Sequence, residues 1–250
     1  MKITLYKDER ALARALALQI ASTLEARPET VLGLPTGRTP IRLYHELGTL
    51  HAHRQVDFSR ATTFNLDEFL GIGPDHPGSY RAFMEQHLFS RVNLSPDRIN
   101  VLNGAAPDPE RECERYETAI AAAGGIDLQL LGIGTNGHIG FNEPARELAG
   151  RTHRVTLTRS TRRSNAALFG GEADRVPREA LSMGMATILH ARHIILIATG
   201  KSKAKCIERM VHGPITTKMP ASFLQVHANV ELMLDDAAAS AISRWGVNGG

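Results

Sequence analysis

A chain of 250 residues with 42% apolar content is long enough to bury the core of one large α/β domain. The 29 Lys and Arg set against 26 Asp and Glu leave a net charge of only +3, and the basic residues form no long run, so a nucleic-acid-binding stripe is excluded. Two cysteines, Cys113 and Cys206, form no Cys-x-x-Cys pair and suggest neither a thiolate zinc site nor a disulfide framework, and no run of about 18 apolar residues offers a membrane span.

Strand-like and helix-like segments alternate along the chain. Ile3 to Tyr6 reads as a strand, and Asp8 can cap a helix through Leu24. Val31 to Leu34 is a short buried strand, after which Pro40 can open a helix through about Leu47. Ala61 to Leu66 is strand-like, a Gly- and Pro-rich loop covers Gly71 to Gly78, and Ser79 to Phe89 reads helical. Ile99 to Leu102 is a short strand, and Pro109 to Ala123 a helix with glycine at its end. Ile126 to Leu131 is a buried strand; Arg154 to Leu157 is a weaker one, followed by a helix or mobile loop to Phe169. Ala186 to Ala191 ends a helix, His193 to Ala198 is an apolar strand, and Ser202 to Val211 is helical, with Cys206 as a small apolar residue. Val230 to Leu234 is a last strand, with a helix from Asp235 to Arg244 and a frayed Gly246 to Gly250. The rhythm predicts a single α/β domain over 1–250, with a mostly parallel sheet and helices on both faces. The segment from about Thr158 to Pro177 is expected to act as a mobile lid.

Chemistry concentrates where strands end. Leu130 to Pro144 carries a glycine turn (Gly132, Gly134, Gly137) that presents His138, with Glu143 five residues on. The literal match of Gly132, Gly134 and Gly137 to a dinucleotide fingerprint is set aside: the following Phe141-Asn142-Glu143-Pro144 is poor helix sequence, and no acid sits at the required distance. His138 and Glu143 suit a His–carboxylate couple for proton transfer, whereas Asn136 is a poor metal ligand and no His-Glu-x-x-His occurs. Pro35 to Pro40 joins a strand to a helix, and its free N–H groups with Thr36 and Thr39 suit a phosphate; it lacks the ending of a nucleoside-triphosphate loop. Asp67 and Glu68 supply adjacent carboxylates, and Lys203 begins another helix after a strand. Taken alone, an Asp-Glu pair is usually a solvated loop and a lone lysine usually faces water. Four such groups past the ends of parallel strands lie on one sheet edge and can meet.

At these motifs the chain resembles the glucosamine-6-phosphate deaminases (isomerising). The matching stretches are Leu34-Pro-Thr-Gly-x-Thr-Pro40, Thr63-Phe-Asn-Leu-Asp-Glu68, His76-Pro-x-Ser-Tyr80, Gly132-Ile-Gly-x-Asn-Gly-His-Ile-Gly-Phe-Asn-Glu-Pro144 and Gly200-x-x-Lys203, in family order. The resemblance implies a modified Rossmann-like fold, no metal, no organic cofactor, and conversion of glucosamine 6-phosphate to fructose 6-phosphate and ammonia. It implies that Asp67 is the base moving a proton between C2 and C1, that His138 opens the sugar ring, and that Glu143 orients it. Asn136 stands where some members carry Asp. Thr36, Gly37, Arg38, Thr39, Glu68, Gly137 and Lys203 complete the expected substrate-binding set. The expected partner is a small amino-sugar phosphate in the cytoplasm, with no nucleic acid or membrane; a homo-oligomer is left open.

Two departures stand out. The arginine that many members place before a paired Phe, where it contacts phosphate, is Ala167, while Arg38 occupies a usually small position of the phosphate loop. The expected compensation is Arg38, with Arg162 or Arg163 as alternatives. His153 and Val155 replace basic residues that allosteric members use, which speaks against activation by N-acetylglucosamine 6-phosphate. Rival readings are a 6-phosphogluconolactonase-like hydrolase, whose loop after the His lacks Phe-Asn-Glu-Pro, and a non-enzymatic sugar-phosphate sensor, which has no need of Asp67 and His138 together.

Overall fold

The computed structural model describes residues 1–242. Ten strands occur among them: β1 (Lys2–Tyr6), β2 (Val31–Leu34), β3 (Thr62–Asn65), β4 (Asp67–Phe69), β5 (Ile99–Asn100), β6 (Leu128–Leu131), β7 (His153–Thr156), β8 (Glu179–Ser182), β9 (His193–Ala198) and β10 (Val230–Asp235). The helices are α1 (Glu9–Ala26), α2 (Pro40–Ala52), α3 (Tyr80–His87), α4 (Pro109–Ala122), α5 (Arg159–Asn165), α6 (Met185–Leu189) and α7 (Ala204–His212).

Seven strands form one sheet in the order β1-β10-β9-β6-β2-β3-β5, and every neighbouring pair in it is parallel. Strand β9 shows why the sheet needs cover on both faces. Ile194, Leu196 and Ala198 pack in one core, Ile195 and Ile197 in the other, because successive side chains of a strand point to opposite faces. Helix α1 closes the second face by burying Leu12, Leu16, Ile20 and Leu24 at helical spacing. The Asp8 carboxylate starts it, accepting the Ala11 N–H at 2.8 Å. Pro40 opens α2 and Pro109 opens α4, as the sequence predicts.

The structure adds a feature that the sequence reading lacks. A second, three-stranded antiparallel sheet runs β4-β8-β7, with Asp67 opposite Ser182 and His153 opposite Ser182 on the other side. Asp67 and Glu68 therefore open a new strand instead of ending an old one. Three residues rich in carboxylate carry no alternation signal, and the pairing partner lies far along the chain. The expected C-terminal helix is also absent over 236–242, where the chain forms turns. The Asp235 carboxylate accepts the N–H groups of Ala238 and Gly200, so the group that could have capped a helix ties β10 to the turn after β9. Residues 243–250, including the rest of that expected helix and the expected frayed end, lie outside the described residues. No helix among the described residues is long and apolar enough to cross a membrane.

The 158–177 segment is ordered around α5. Thr158 caps it through the Thr161 N–H at 3.1 Å, and a 3-10 turn over 166–169 ends at Gly170, whose φ of 71° favours glycine. Phe169 anchors the segment, packing against Phe69 with ring centroids 5.3 Å apart and against His76 at 5.6 Å. Tyr80, Phe141 and Val176 complete this satellite core.

Candidate active site

Because all seven strands of the large sheet are parallel, the loops after β2, β3, β6 and β9 emerge at one edge. Three of the four sequence motifs sit on these loops, and the Asp67–Glu68 pair follows one residue after β3, at the start of β4.

The loop after β2 is shaped for an anion. Gly37 has φ 103°, and the N–H groups of Gly37, Arg38 and Thr39 make no hydrogen bond among the described residues, just ahead of α2. The Tyr44 hydroxyl, buried in α2, donates to the Pro35 carbonyl and fixes the loop's start. Arg38 is exposed and has no carboxylate partner among the described residues. Arg162 is already engaged, donating to the Ala173 carbonyl and Asp174 carboxylate at 2.9 Å each. Arg163 is exposed on α5, and Ala167 is exposed in the turn that follows.

Asp67 is only 6% exposed, and one of its carboxylate oxygens has no hydrogen-bond partner in the chain. Burial, reinforced by the Glu68 charge, pushes its pKa up to about 8. Glu68 behaves differently. Its carboxylate accepts N–H groups from Phe69 at 2.8 Å, Tyr80 at 2.9 Å and Arg81 at 2.9 Å. Burial raises its pKa, and these three donors, two of them at the N-terminus of α3, pull it back towards the charged form. Within the pair, Asp67 is the group free to accept a proton. Glu68, expected as a substrate contact, is taken up in anchoring α3.

The loop after β6 carries the imidazole. A Cβ on Gly134 would lie 2.2 Å from the His138 ring, so only glycine lets the ring fold back over its own turn. His138 Nδ1 stands 3.5 Å from Glu143 Oε1. The other Glu143 oxygen accepts from Asn136 Nδ2 at 2.7 Å, and Asn136 Oδ1 in turn accepts the backbone N–H of His138 at 3.2 Å. Thr161 of α5 donates its hydroxyl to Glu143. Burial works against the Glu143 charge, but His138, Thr161 and Asn136 outweigh it and hold the pKa at about 2. The dyad foreseen from sequence is thus brought together, with Asn136 bridging its two members. No helix follows the glycines, as the rejection of the dinucleotide fingerprint requires.

Lys203 Nζ reaches across from β9's loop and donates to the Ile133 carbonyl at 2.6 Å, and its half-burial lowers its pKa. It lies beside the imidazole loop, a neighbour that its place after β9, and its expected substrate contact, did not specify. Several supporting residues gave no recognisable sequence signal. Asn142 donates to the Ile139 and Met183 carbonyls at 2.9 and 2.8 Å, and Ser182 accepts the Phe141 N–H at 3.1 Å, together pinning the imidazole loop to β8. The Met219 sulfur packs where a Cβ on Gly137 would be, 2.0 Å away. The Tyr80 hydroxyl donates to Asn165 of α5 at 3.1 Å, which ties α3 to the 158–177 segment. Only the His76-to-Tyr80 motif hinted at that last contact.

Comparison with known proteins agrees with this arrangement. The family described as glucosamine-6-phosphate isomerases/6-phosphogluconolactonase matches residues 7–233. A glucosamine-6-phosphate deaminase of Halothermothrix orenii is 48% identical over 240 residues, 96% of this chain and 99% of that protein. Glucosamine-6-phosphate deaminase 2 of Bacillus subtilis is 47% identical over 240 residues, 96% of each. The solved structure of a monomeric glucosamine-6-phosphate deaminase superposes with a TM-score of 0.93 at 42% identity, covering 96% of this chain and all of that one. A 6-phosphogluconolactonase from Trypanosoma cruzi shares the fold, with a TM-score of 0.77 at 21% identity over 97% of each chain. This chain belongs to the glucosamine-6-phosphate deaminase family.

Proposed function

We propose that the chain deaminates and isomerises glucosamine 6-phosphate, giving fructose 6-phosphate and ammonia. The observation that carries the reading is the contrast between two acid/base groups on one sheet edge. Asp67 is a buried carboxylate of raised pKa with a free oxygen, while His138 is paired with a carboxylate held ionised. The two carboxylates, Asp67 with its pKa raised and Glu143 with its pKa lowered, are set to different tasks by their surroundings. The relatives at 42–48% identity support the deaminase reading over that of the lactonases, which share the fold at 21% identity or less.

The phosphate binds first, to the N–H groups of Gly37, Arg38 and Thr39, the Thr36 and Thr39 hydroxyls, and Lys203, and fixes C1 and C2 for reaction. Gly137 brings backbone close to the sugar. His138 takes the proton from O1 and returns it to O5, opening the ring, while Glu143 stabilises the imidazolium that forms between the two transfers. The C2 ammonium of the substrate enters beside Asp67, and its positive charge favours the ionised carboxylate. Asp67 removes the C2 proton, now acidified by the neighbouring aldehyde carbon, and delivers it to C1. The enolamine formed in between becomes an imine at C2. Water adds to that carbon, the C–N bond breaks, and ammonia leaves. Binding energy from the 158–177 segment, through Thr161 on Glu143, couples closure of that lid to the dyad. The enzyme is therefore a hydrolase acting on a C–N bond, in the cytoplasm, where charged sugar phosphates are retained.

The test is ammonia release from a panel of amino-sugar phosphates. Glucosamine 6-phosphate is expected to be consumed with matching amounts of ammonia and fructose 6-phosphate. Hydrolysis of 6-phosphogluconolactone without ammonia release from any amino sugar would refute the reading.

A further inference from the structure

Behind α5, facing away from the imidazole, lies a cavity of about 460 Å³ lined by Arg159, Arg162, Arg163, Ala173, Asp174 and Arg178. Its volume falls in the range of small-ligand pockets, about 300–1,000 Å³. Four guanidinium groups face a single carboxylate there, and Asp174 is itself fully exposed and paired with Arg162. Arg159, Arg163 and Arg178 are exposed and have no carboxylate within salt-bridge distance among the described residues.

Two further observations separate this cluster from an ordinary solvated face. Arg159, Arg162 and Arg163 stand at i, i+3 and i+4 of a seven-residue helix with no acidic residue, a spacing at which like charges weaken a helix. The Arg162 side chain is only 14% exposed, and its Nε is buried without an acceptor although its terminal nitrogen is satisfied. An unmatched buried donor costs about 1–3 kcal/mol. An anion seated among the three exposed arginines would relieve the like-charge crowding.

Helical geometry separates this site from the sugar-phosphate site. At about 100° per residue, Arg159, Arg162 and Arg163 centre roughly 135° around α5 from Thr161 and Asn165, which contact Glu143 and Tyr80. An anion bridging α5 to Arg178 would brace the same helix that reaches Glu143.

We infer that the back of the lid is a second anion site, built for a small ligand carrying a diphosphate group. Two adjacent phosphoryl groups offer enough acceptor oxygens for the unpaired guanidinium groups of Arg159, Arg163 and Arg178, which bind phosphate through paired N–H donors. Inorganic pyrophosphate and a nucleoside diphosphate share this chemistry. Occupancy rigidifies 158–178 and thereby steadies Thr161 on Glu143. The site stands apart from the deaminase reading, because binding is measured without turnover.

The experiment is titration calorimetry of the full chain with pyrophosphate and, separately, with ADP, at about 0.15 M salt. Three proteins are compared: the unaltered chain, Arg159→Ala/Arg178→Ala, and Lys203→Ala. The two exposed arginines carry no contact on which folding depends, and an unchanged circular dichroism spectrum checks this. Binding should weaken by about tenfold or more in the arginine variant, equivalent to the loss of one good charge-assisted contact, and persist in Lys203→Ala. Amide hydrogen exchange within 158–178 should slow on binding to the unaltered chain. Tighter binding of ADP than pyrophosphate would assign the site to a nucleotide, and equal binding to the diphosphate alone. Loss of binding in Lys203→Ala with retention in the arginine variant would place the anion in the active site and overturn the inference. Absence of binding by both ligands would overturn it as well.

Discussion

Replacing Asp67 by Asn should stabilise the protein and disable it, and the stabilisation should depend on pH in a defined direction. The carboxyl group has a pKa near 3.8 in an unfolded chain and about 8 in the fold, where burial and the Glu68 charge oppose ionisation. Below pH 3.8 the group is neutral in both states and contributes no pH-dependent cost. Between that pH and about 8 the unfolded chain releases the proton and the folded chain keeps it. The folded state then binds more protons, so stability falls as pH rises, by up to about 1.4 kcal/mol per pH unit. Asn has the same shape and no charge, so the cost disappears. Allowing about 1–3 kcal/mol for a buried amide with incomplete hydrogen bonding, the net gain at pH 8 should be about 2–4 kcal/mol. For a chain of this size that is a rise in Tm of roughly 5–15 °C. Melting curves of the two proteins at pH 4.5, 6.5 and 8 should show a gap that widens with pH. In parallel, deuterium washout from C2-labelled substrate should slow by about 10²–10⁴-fold, with binding retained. A gap that is independent of pH, or a variant less stable at pH 8, would refute the account of Asp67 as a destabilised buried base.

The same raised pKa predicts that kcat/KM climbs through an acidic limb well above the ordinary carboxylate range, reporting the Asp67–Glu68 pair in the free enzyme; a limb near pH 4 would contradict it. His138→Gln should impair the cyclic substrate far more than an open-chain analogue, as measured by kcat/KM on each, and equal losses would remove His138 from ring opening. Arg38→Gly should raise KM by about tenfold, near 1.4 kcal/mol, since Arg162 is bonded elsewhere; adding Ala167→Arg should recover much of this, and a near-normal KM would refute the relocated cation. With His153 and Val155 in place of basic residues, initial rates should be hyperbolic in glucosamine 6-phosphate and unaffected by N-acetylglucosamine 6-phosphate; a sigmoidal curve straightened by that compound would contradict this.

Local periodicity and chain order already carry much of this architecture. The apolar runs 31–34, 126–131 and 193–198 read as buried strands, and the helical spacing between them makes the connections parallel crossovers. Parallel strands share one C-terminal edge, so a common placement of the phosphate loop, Asp67, the His138 loop and Lys203 at that edge was expected from chain order. The Gly-rich turn with its His and Glu was legible for the same reason, since five residues of chain keep the two groups within reach of each other.

Which of these groups are free to act depends on packing between distant segments. Asp67 and Glu68 are adjacent and chemically alike, yet one is left with an open oxygen and the other is filled by three N–H donors, two of them from α3. That division comes from β4 pairing with β8, a contact between segments distant in sequence, which no local pattern encodes. Arg162 and Arg38 also look interchangeable in sequence. The fold commits Arg162 to 173–174 and leaves Arg38 open beside unfilled N–H groups. Burial and hydrogen-bond partners are properties of packing over long range, and they set proton affinity and charge availability. Residue type and spacing name the candidates for chemistry, and long-range packing assigns their roles.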